Sequence, residues 1–110
     1  MNEQVKEYVE KYPREIVDLY NRLRELIFGS TSGIPEEKLW AKLPSYYVGA
    51  AFVRLIPFQD HINIEAQAVV RHREALKEYQ ITPKGMLKIG GKQPIPEETL
   101  RQIFAETLEG

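Results

Sequence analysis

The chain has 110 residues, 43% apolar and 28% charged, with a formal charge of −1, proportions that fit one globular domain, residues 1–110, with a single modest core. It contains no cysteine, which excludes disulfides, thiolate metal sites and cysteine nucleophiles. No apolar run is long enough to span a bilayer, and the opening MNEQVKEYVEKY is charged instead of signal-like, so the expected setting is cytoplasmic, with no membrane partner.

In chain order, Val5, Tyr8, Val9 and Tyr12 form the stripe of a short amphipathic helix that Pro13 interrupts. Ile16, Leu19, Tyr20, Leu23, Leu26 and Ile27 then form a longer stripe that stops at Gly29. Ile34-Pro35-Glu36-Glu37 reads as the start of one helical turn, and Leu39–Lys42 as a short edge strand broken by Lys42-Leu43-Pro44. The stretch Leu43–Glu65 is the expected centre of the fold. It reads as one strand over roughly Tyr47–Ile56, a turn through Pro57-Phe58-Gln59-Asp60, and a second strand His61–Glu65.

Val53, Leu55, Ile62 and Ile64 alternate with Arg54, His61, Asn63 and Glu65, so one face is aliphatic and needs cover while the other is mixed. Gly49-Ala50-Ala51 reads as a small-residue stretch that permits close packing. Ala66–Gln80 reads as helical on a partial stripe of Val69, Val70, Leu76 and Tyr79. Thr82-Pro83-Lys84-Gly85 is a turn, Met86–Ile89 a short strand, and Pro96-Glu97-Glu98 opens a last helix carrying Leu100, Ile103, Phe104 and Leu108. The fold class is therefore α+β, an antiparallel sheet with helices packed on one face.

A likeness to a known family rests on the helix-helix-sheet order, on Lys42-Leu43-Pro44-Ser45-Tyr46, on the strand ending Asp60-His61-Ile62, on Tyr79-x-x-Thr82-x-Lys84-Gly85, and on the tail Gln93-Pro94-Ile95-Pro96 followed by Leu100 and Ile103. On these residues, over roughly Val5 to Leu108, the chain resembles the YdhG-like family of small bacterial domains. It departs from the family pattern at Leu43, where a glycine is usual, and at Glu65-Ala66, where a Tyr-Pro ending is common. The resemblance implies a small curved antiparallel sheet with helices on one face. Some members are described as frataxin-like iron chaperones supplying iron–sulfur or haem assembly. By that implication the cofactor is weakly bound iron and the partner an iron-acceptor protein.

The residues themselves offer several candidates. His61 begins a strand on the mixed face, and imidazole binds metals, donates to anions or acts as a base near neutral pH; a histidine that caps the hairpin through the backbone is the plainer alternative. Glu65 lies roughly 13 Å along the strand, too far to share an ion with it. His72, between Arg71 and Arg73, reads as a helix surface or boundary residue. Lys84 reads as an anion contact or a turn decoration. Trp40, Tyr46, Tyr47 and Phe52 gather near the start of the hairpin, and one of the adjacent tyrosines should be buried and the other available.

A groove near Trp40, Tyr46, His61 and Lys84 is accordingly the candidate ligand site, for a small anionic ligand or a protein partner. Glu3, Glu7 and Glu10, at i, i+4 and i+7 on the first helix, are the candidate iron carboxylates, with Glu97, Glu98 and Glu106 on the last helix as further acids. Solvated helix faces account for the same acids.

Residues 38–92 hold nine basic and four acidic side chains, net +5, between ends of −3 each. The acidic ends argue against nucleic acid as a partner. Phosphate-loop, nucleophile-elbow and metalloenzyme motifs are missing, so the expected class is a non-enzymatic binding domain, monomer or homodimer. An edge strand at Met86–Ile89 is one route to a dimer, which the lysines at 84, 88 and 92 oppose.

Overall fold

The computed structural model describes residues Met1–Gly110. Helix α1 covers Glu3–Val9 and α2 Arg14–Gly29; strands follow at β1 Glu36–Trp40, β2 Leu43–Val48, β3 Ala51–Pro57 and β4 His61–Glu65. A short 3-10 segment, Gln67–His72, leads to β5 Gln80–Ile81, β6 Leu87–Gly90 and α3 Glu97–Glu109. The strands form an open six-stranded antiparallel sheet in the order β1-β2-β3-β4-β6-β5, with the helices against it.

The alternation that defines β3 and β4 sorts the two faces. Tyr46, Val53, Leu55, Ile62, Ile64, Leu87 and Ile89 all lie on one face and are fully buried. The stripes of α1, α2 and α3 cover them, joining one core of 23 buried residues. Apolar area removed from water holds this layer together, at roughly 1.5–3 kcal/mol per buried aliphatic side chain. The opposite face has no helix over it.

Several expectations are corrected. The single strand expected over Tyr47–Ile56 is two strands: Val48 pairs with Ala51, and the chain reverses at Gly49-Ala50. Gly49, at φ +62, supplies the positive angle that the first centre of a two-residue hairpin loop requires, so the small residues make a turn and not a packing surface. The expected helical turn at Ile34–Glu37 is instead the start of β1, with Glu36 opposite Tyr47 and Glu37 opposite Tyr46. Pro44 does not break the sheet. It sits in β2 opposite Leu39, and the β2–β3 ladder begins one residue later at Ser45, where an N–H is again available.

The helix expected over Ala66–Gln80 is only the 3-10 segment followed by turns. Its bonds close over three residues, as from the Tyr79 amide to the Leu76 carbonyl at 2.8 Å, and its first turn is tied to α3 by the Ala68 amide donating to Thr107 Oγ1. The partial stripe there reflects burial of Ala68, Val69 and Leu76 against the core along an irregular path. Strand β6 is not an edge: it lies between β4 and β5, and β1 and β5 form the edges.

Between α2 and β1–β2 runs a buried polar chain. The Tyr46 hydroxyl donates to Glu37 Oε2 at 2.8 Å, so its oxygen is left to accept from the Tyr20 hydroxyl, 2.5 Å away. Arg24 donates to both Glu37 oxygens, at 2.6 and 3.2 Å, and the Asn2 amide donates at 2.7 Å. Burial pushes the Glu37 carboxyl up, but the hydrogen bonds from Arg24, Asn2 and Tyr46 and the charge of Arg24 outweigh it and hold it below the ordinary value. Burial pushes the Tyr46 hydroxyl far up, and the neighbouring Tyr20 and Glu37 add to it, so it stays a proton donor.

Candidate functional site

The structure does not bring Trp40, Tyr46, His61 and Lys84 together. Tyr46 points to the helix side and is fully buried in the Glu37 network, while Tyr47, its neighbour, lies on the open face. Trp40 ends β1 at one edge of the sheet and is 52% exposed. His61 opens β4 opposite Gly90 of β6, whereas Lys84 sits in the β5–β6 turn beyond Leu87, which faces Ile64. His61 and Lys84 thus occupy opposite ends of β4. Strand alternation had suggested a shared groove, but register and strand order separate these side chains.

The centre of the open face belongs instead to Arg54, only 6% exposed although no helix covers it. Its guanidinium lies 3.8 Å from the Phe52 ring centre and 4.2 Å from that of Trp40. Its nitrogens donate to Ser45 Oγ, Glu65 and the Tyr47 hydroxyl. Charge, stacking and hydrogen bonds are all satisfied within the sheet, so Arg54 braces this face.

His61 stands at a separate place. Its ring stacks on Phe58, with centroids 4.5 Å apart and planes 12° from parallel. Its Nδ1 is 2.6 Å from Asp60 Oδ1. The hydrogen bond to His61, with the charges of His61 and Lys88, holds the Asp60 carboxyl below its ordinary value. The histidine was expected to cap the hairpin through the backbone; it bonds a carboxylate instead, which fixes the ring and leaves Nε2 as its other polar atom.

A cleft of about 650 Å³ opens beside this pair. One wall is the β6 end, Gly90-Gly91 followed by Lys92 and Gln93; Lys88 of β6 and Gln80 of β5 form its floor. Glu78, just before β5, and Glu15, from the first turn of α2, also line it. None of the residues that line it is hydrophobic.

Gly91 leaves room for the Glu15 carboxylate to lie against the strand end: a Cβ there would meet the outer atoms of that side chain at 2.9 Å, and the flexible glutamate would have to swing away. Hydrogen bonds secure the wall: the Gly90 amide donates to Gln93 Oε1 at 2.7 Å, and the Gly91 amide to the Asp60 carbonyl at 3.0 Å.

Sequence reasoning found His61 here but missed Glu15, Glu78, Gln80, Lys88 and Lys92. Gly90-Gly91, a glycine pair at a strand end between Lys88 and Lys92, was the one available signal, since Glu15 and Glu78 come from other segments.

For metal, no three His, Cys, Asp or Glu side chains lie close enough to hold an ion. Glu3, Glu7 and Glu10 are all exposed, and a rise of about 1.5 Å per residue spreads i, i+4 and i+7 over roughly 10 Å. The acids of α3 are engaged elsewhere. Glu97 pairs with Arg22 at 2.6 Å, Glu98 with Arg101 at 3.5 Å, and Glu106 with His72 at 3.0 Å. His72, expected at a helix surface or boundary, ends the 3-10 segment and is tied to α3 with its side chain 16% exposed. No helix is long and apolar enough to cross a membrane. In comparison with known proteins, no family model matches this chain, and no curated protein or solved structure matches it.

Proposed function

We propose that this domain is a small-ligand binding module and that its ligand occupies the polar cleft beside His61. One observation supports the reading above all. Charged side chains from four separate segments converge on the cleft, yet Glu15, Glu78, Lys88 and Lys92 form no ion pair with anything. By contrast, six of the chain's seven arginines have an acidic partner, Arg73 being the exception. A concavity of this size is in the range that small ligands occupy, and free polar groups on its walls can fix the orientation of one.

The test is a backbone-amide NMR screen against small polar fragments. Saturable shifts clustered on His61, Gly90, Gly91 and Gln93, weakened in Lys88→Gln, are the expected result. A screen in which no fragment produces such a cluster refutes the reading.

A second reading follows the YdhG-like resemblance: a domain that carries ferrous iron on α1 for delivery to an acceptor protein. The observation in its favour is that Glu3, Glu7 and Glu10 also make no ion pair, and exposed carboxylates suit weak binding of a hard cation. Anaerobic titration with ferrous iron, with magnesium as the charge control, decides it. Iron-specific, saturable broadening over Glu3–Glu10 supports it. An equal and diffuse response to both ions removes it.

A further inference from the structure

The walls of the cleft mix both signs of charge without sorting them. Glu15, Asp60 and Glu78 bring carboxylates, Lys88 and Lys92 bring ammonium groups, and the charge of Lys88 already acts on Asp60. A ligand with a net charge gains from one set and loses to the other, so little favours either sign. The lining holds no hydrophobic side chain, so it offers nothing to an apolar group. What it does hold is hydrogen-bonding groups of both kinds, and a hydroxyl donates and accepts at once.

Two of these groups are uncharged and held in place. Asp60 bonds His61 Nδ1 at 2.6 Å, and an ionised carboxylate can only accept, so Nδ1 carries the hydrogen. In the neutral ring Nε2 is then an acceptor, and the stack on Phe58 sets the plane in which it lies. Gln93 supplies the complement. Its Oε1 accepts from the Gly90 amide at 2.7 Å, which leaves its side-chain nitrogen as a donor with no partner in the protein. Gly90 is the residue opposite His61 in the β4–β6 ladder, so the fixed acceptor and the fixed donor stand at the same end of that ladder.

We propose that the cleft takes a neutral polyhydroxyl compound, a sugar or a cyclitol, with one hydroxyl donating to His61 Nε2 and another accepting from the Gln93 side-chain nitrogen. The remaining hydroxyls meet lysines and carboxylates alike, accepting from the first and donating to the second. The volume of about 650 Å³ lies in the range of small-molecule sites and has room for a monosaccharide or a disaccharide. This inference rests on the binding-module reading above and goes further by naming the ligand's chemistry.

The test is backbone-amide NMR on the intact protein with D-glucose, D-mannose, myo-inositol and maltose, beside inorganic phosphate, glutamate and putrescine as charged controls. At least one polyol should shift the amides of His61, Gly90, Gly91 and Gln93 saturably. Its affinity should change by less than about twofold between low salt and about 0.3 M sodium chloride, because the ligand has no charge to screen. Gln93→Glu keeps an oxygen for the Gly90 amide but turns the donor into an acceptor, and His61→Phe keeps a ring on Phe58 but removes Nε2. Each should weaken that polyol by about tenfold or more, the worth of one lost hydrogen bond. The amide spectrum of each free variant reports its fold.

A polyol whose affinity survives either substitution in a folded variant, or falls steeply with salt, overturns the proposal. Silence toward the polyols with a saturable response to a charged control overturns it and leaves the binding module standing. Silence toward every probe also overturns it, and the module then stands or falls on the fragment screen alone.

Discussion

Replacing Tyr46 by Phe removes one oxygen from the buried chain Tyr20–Tyr46–Glu37–Arg24, and the structure sets the expected cost. The Glu37 carboxylate loses a charge-assisted donor at 2.8 Å, worth about 1.5–3 kcal/mol. The Tyr20 hydroxyl, in a fully buried residue, loses its acceptor, for about 1 kcal/mol or more. Together these give about 3 kcal/mol, a large share of the roughly 5–15 kcal/mol that holds a domain folded.

Tyr20→Phe should cost less, about 1 kcal/mol, because Tyr46 still has Glu37 to receive its proton. The double variant should cost less than the sum of the two, since removing both hydroxyls leaves no unpaired phenol. Urea unfolding at neutral pH, followed by circular dichroism, measures all three. A Tyr46→Phe variant no less stable than Tyr20→Phe, or strict additivity in the double, would refute the donor order argued here.

Three further outcomes are expected. The β1–β2 hairpin turns on Ala41 and Lys42, both at positive φ (49 and 67), where Asn-Gly is the favoured pair. Ala41→Asn with Lys42→Gly should therefore raise stability by about 1–2 kcal/mol, and an unchanged urea midpoint would count against strain at that turn. Arg54→Met should cost about 2–3 kcal/mol and red-shift the emission of Trp40, the sole tryptophan; an unmoved spectrum would mean that Arg54 does not cover its ring.

The Glu37 carboxyl is held below its ordinary value of 4.5, so its contribution is present above that pH and is lost as pH falls through the lower folded value. The stability gap between the native chain and Glu37→Gln should therefore be full at neutral pH and shrink below about pH 4.5. A gap independent of pH would show that Glu37 is not held ionised by Arg24.

Much of the secondary structure was legible because it depends on local patterns. The α2 stripe from Ile16 to Ile27, the α3 stripe from Leu100 to Leu108 and the β4 alternation of Ile62 and Ile64 each bury one face of a regular element. The misreadings fall where two local meanings compete. Gly49-Ala50-Ala51 can be a close-packing surface or a hairpin loop, and only the pairing of Val48 with Ala51 selects the loop. Pro35-Glu36-Glu37 has the look of a helix start, yet the Arg24 and Tyr46 bonds to Glu37 reward an extended strand there. The helical period over Ala66–Gln80 was partial, and the core accepted its apolar residues without a helix.

The sequence by itself determined an α+β domain with an aliphatic sheet face under amphipathic helices, because periodicity of two and of 3.6 is written residue by residue. It also singled out His61 as the polar residue at a strand start. The tertiary structure alone decided what surrounds that histidine. Glu15 is separated from Glu78, Lys88 and Lys92 by more than half of the chain, and no spacing rule relates it to them. They meet because β6 inserts between β4 and β5 while the Glu15 side chain of α2 lies against Gly91. The same register carries Lys84 to the far end of β4 and turns Tyr46 into the core. Strand order and register are long-range choices made by burial of the whole sheet, so a site assembled from several strands becomes visible only once the chain is folded.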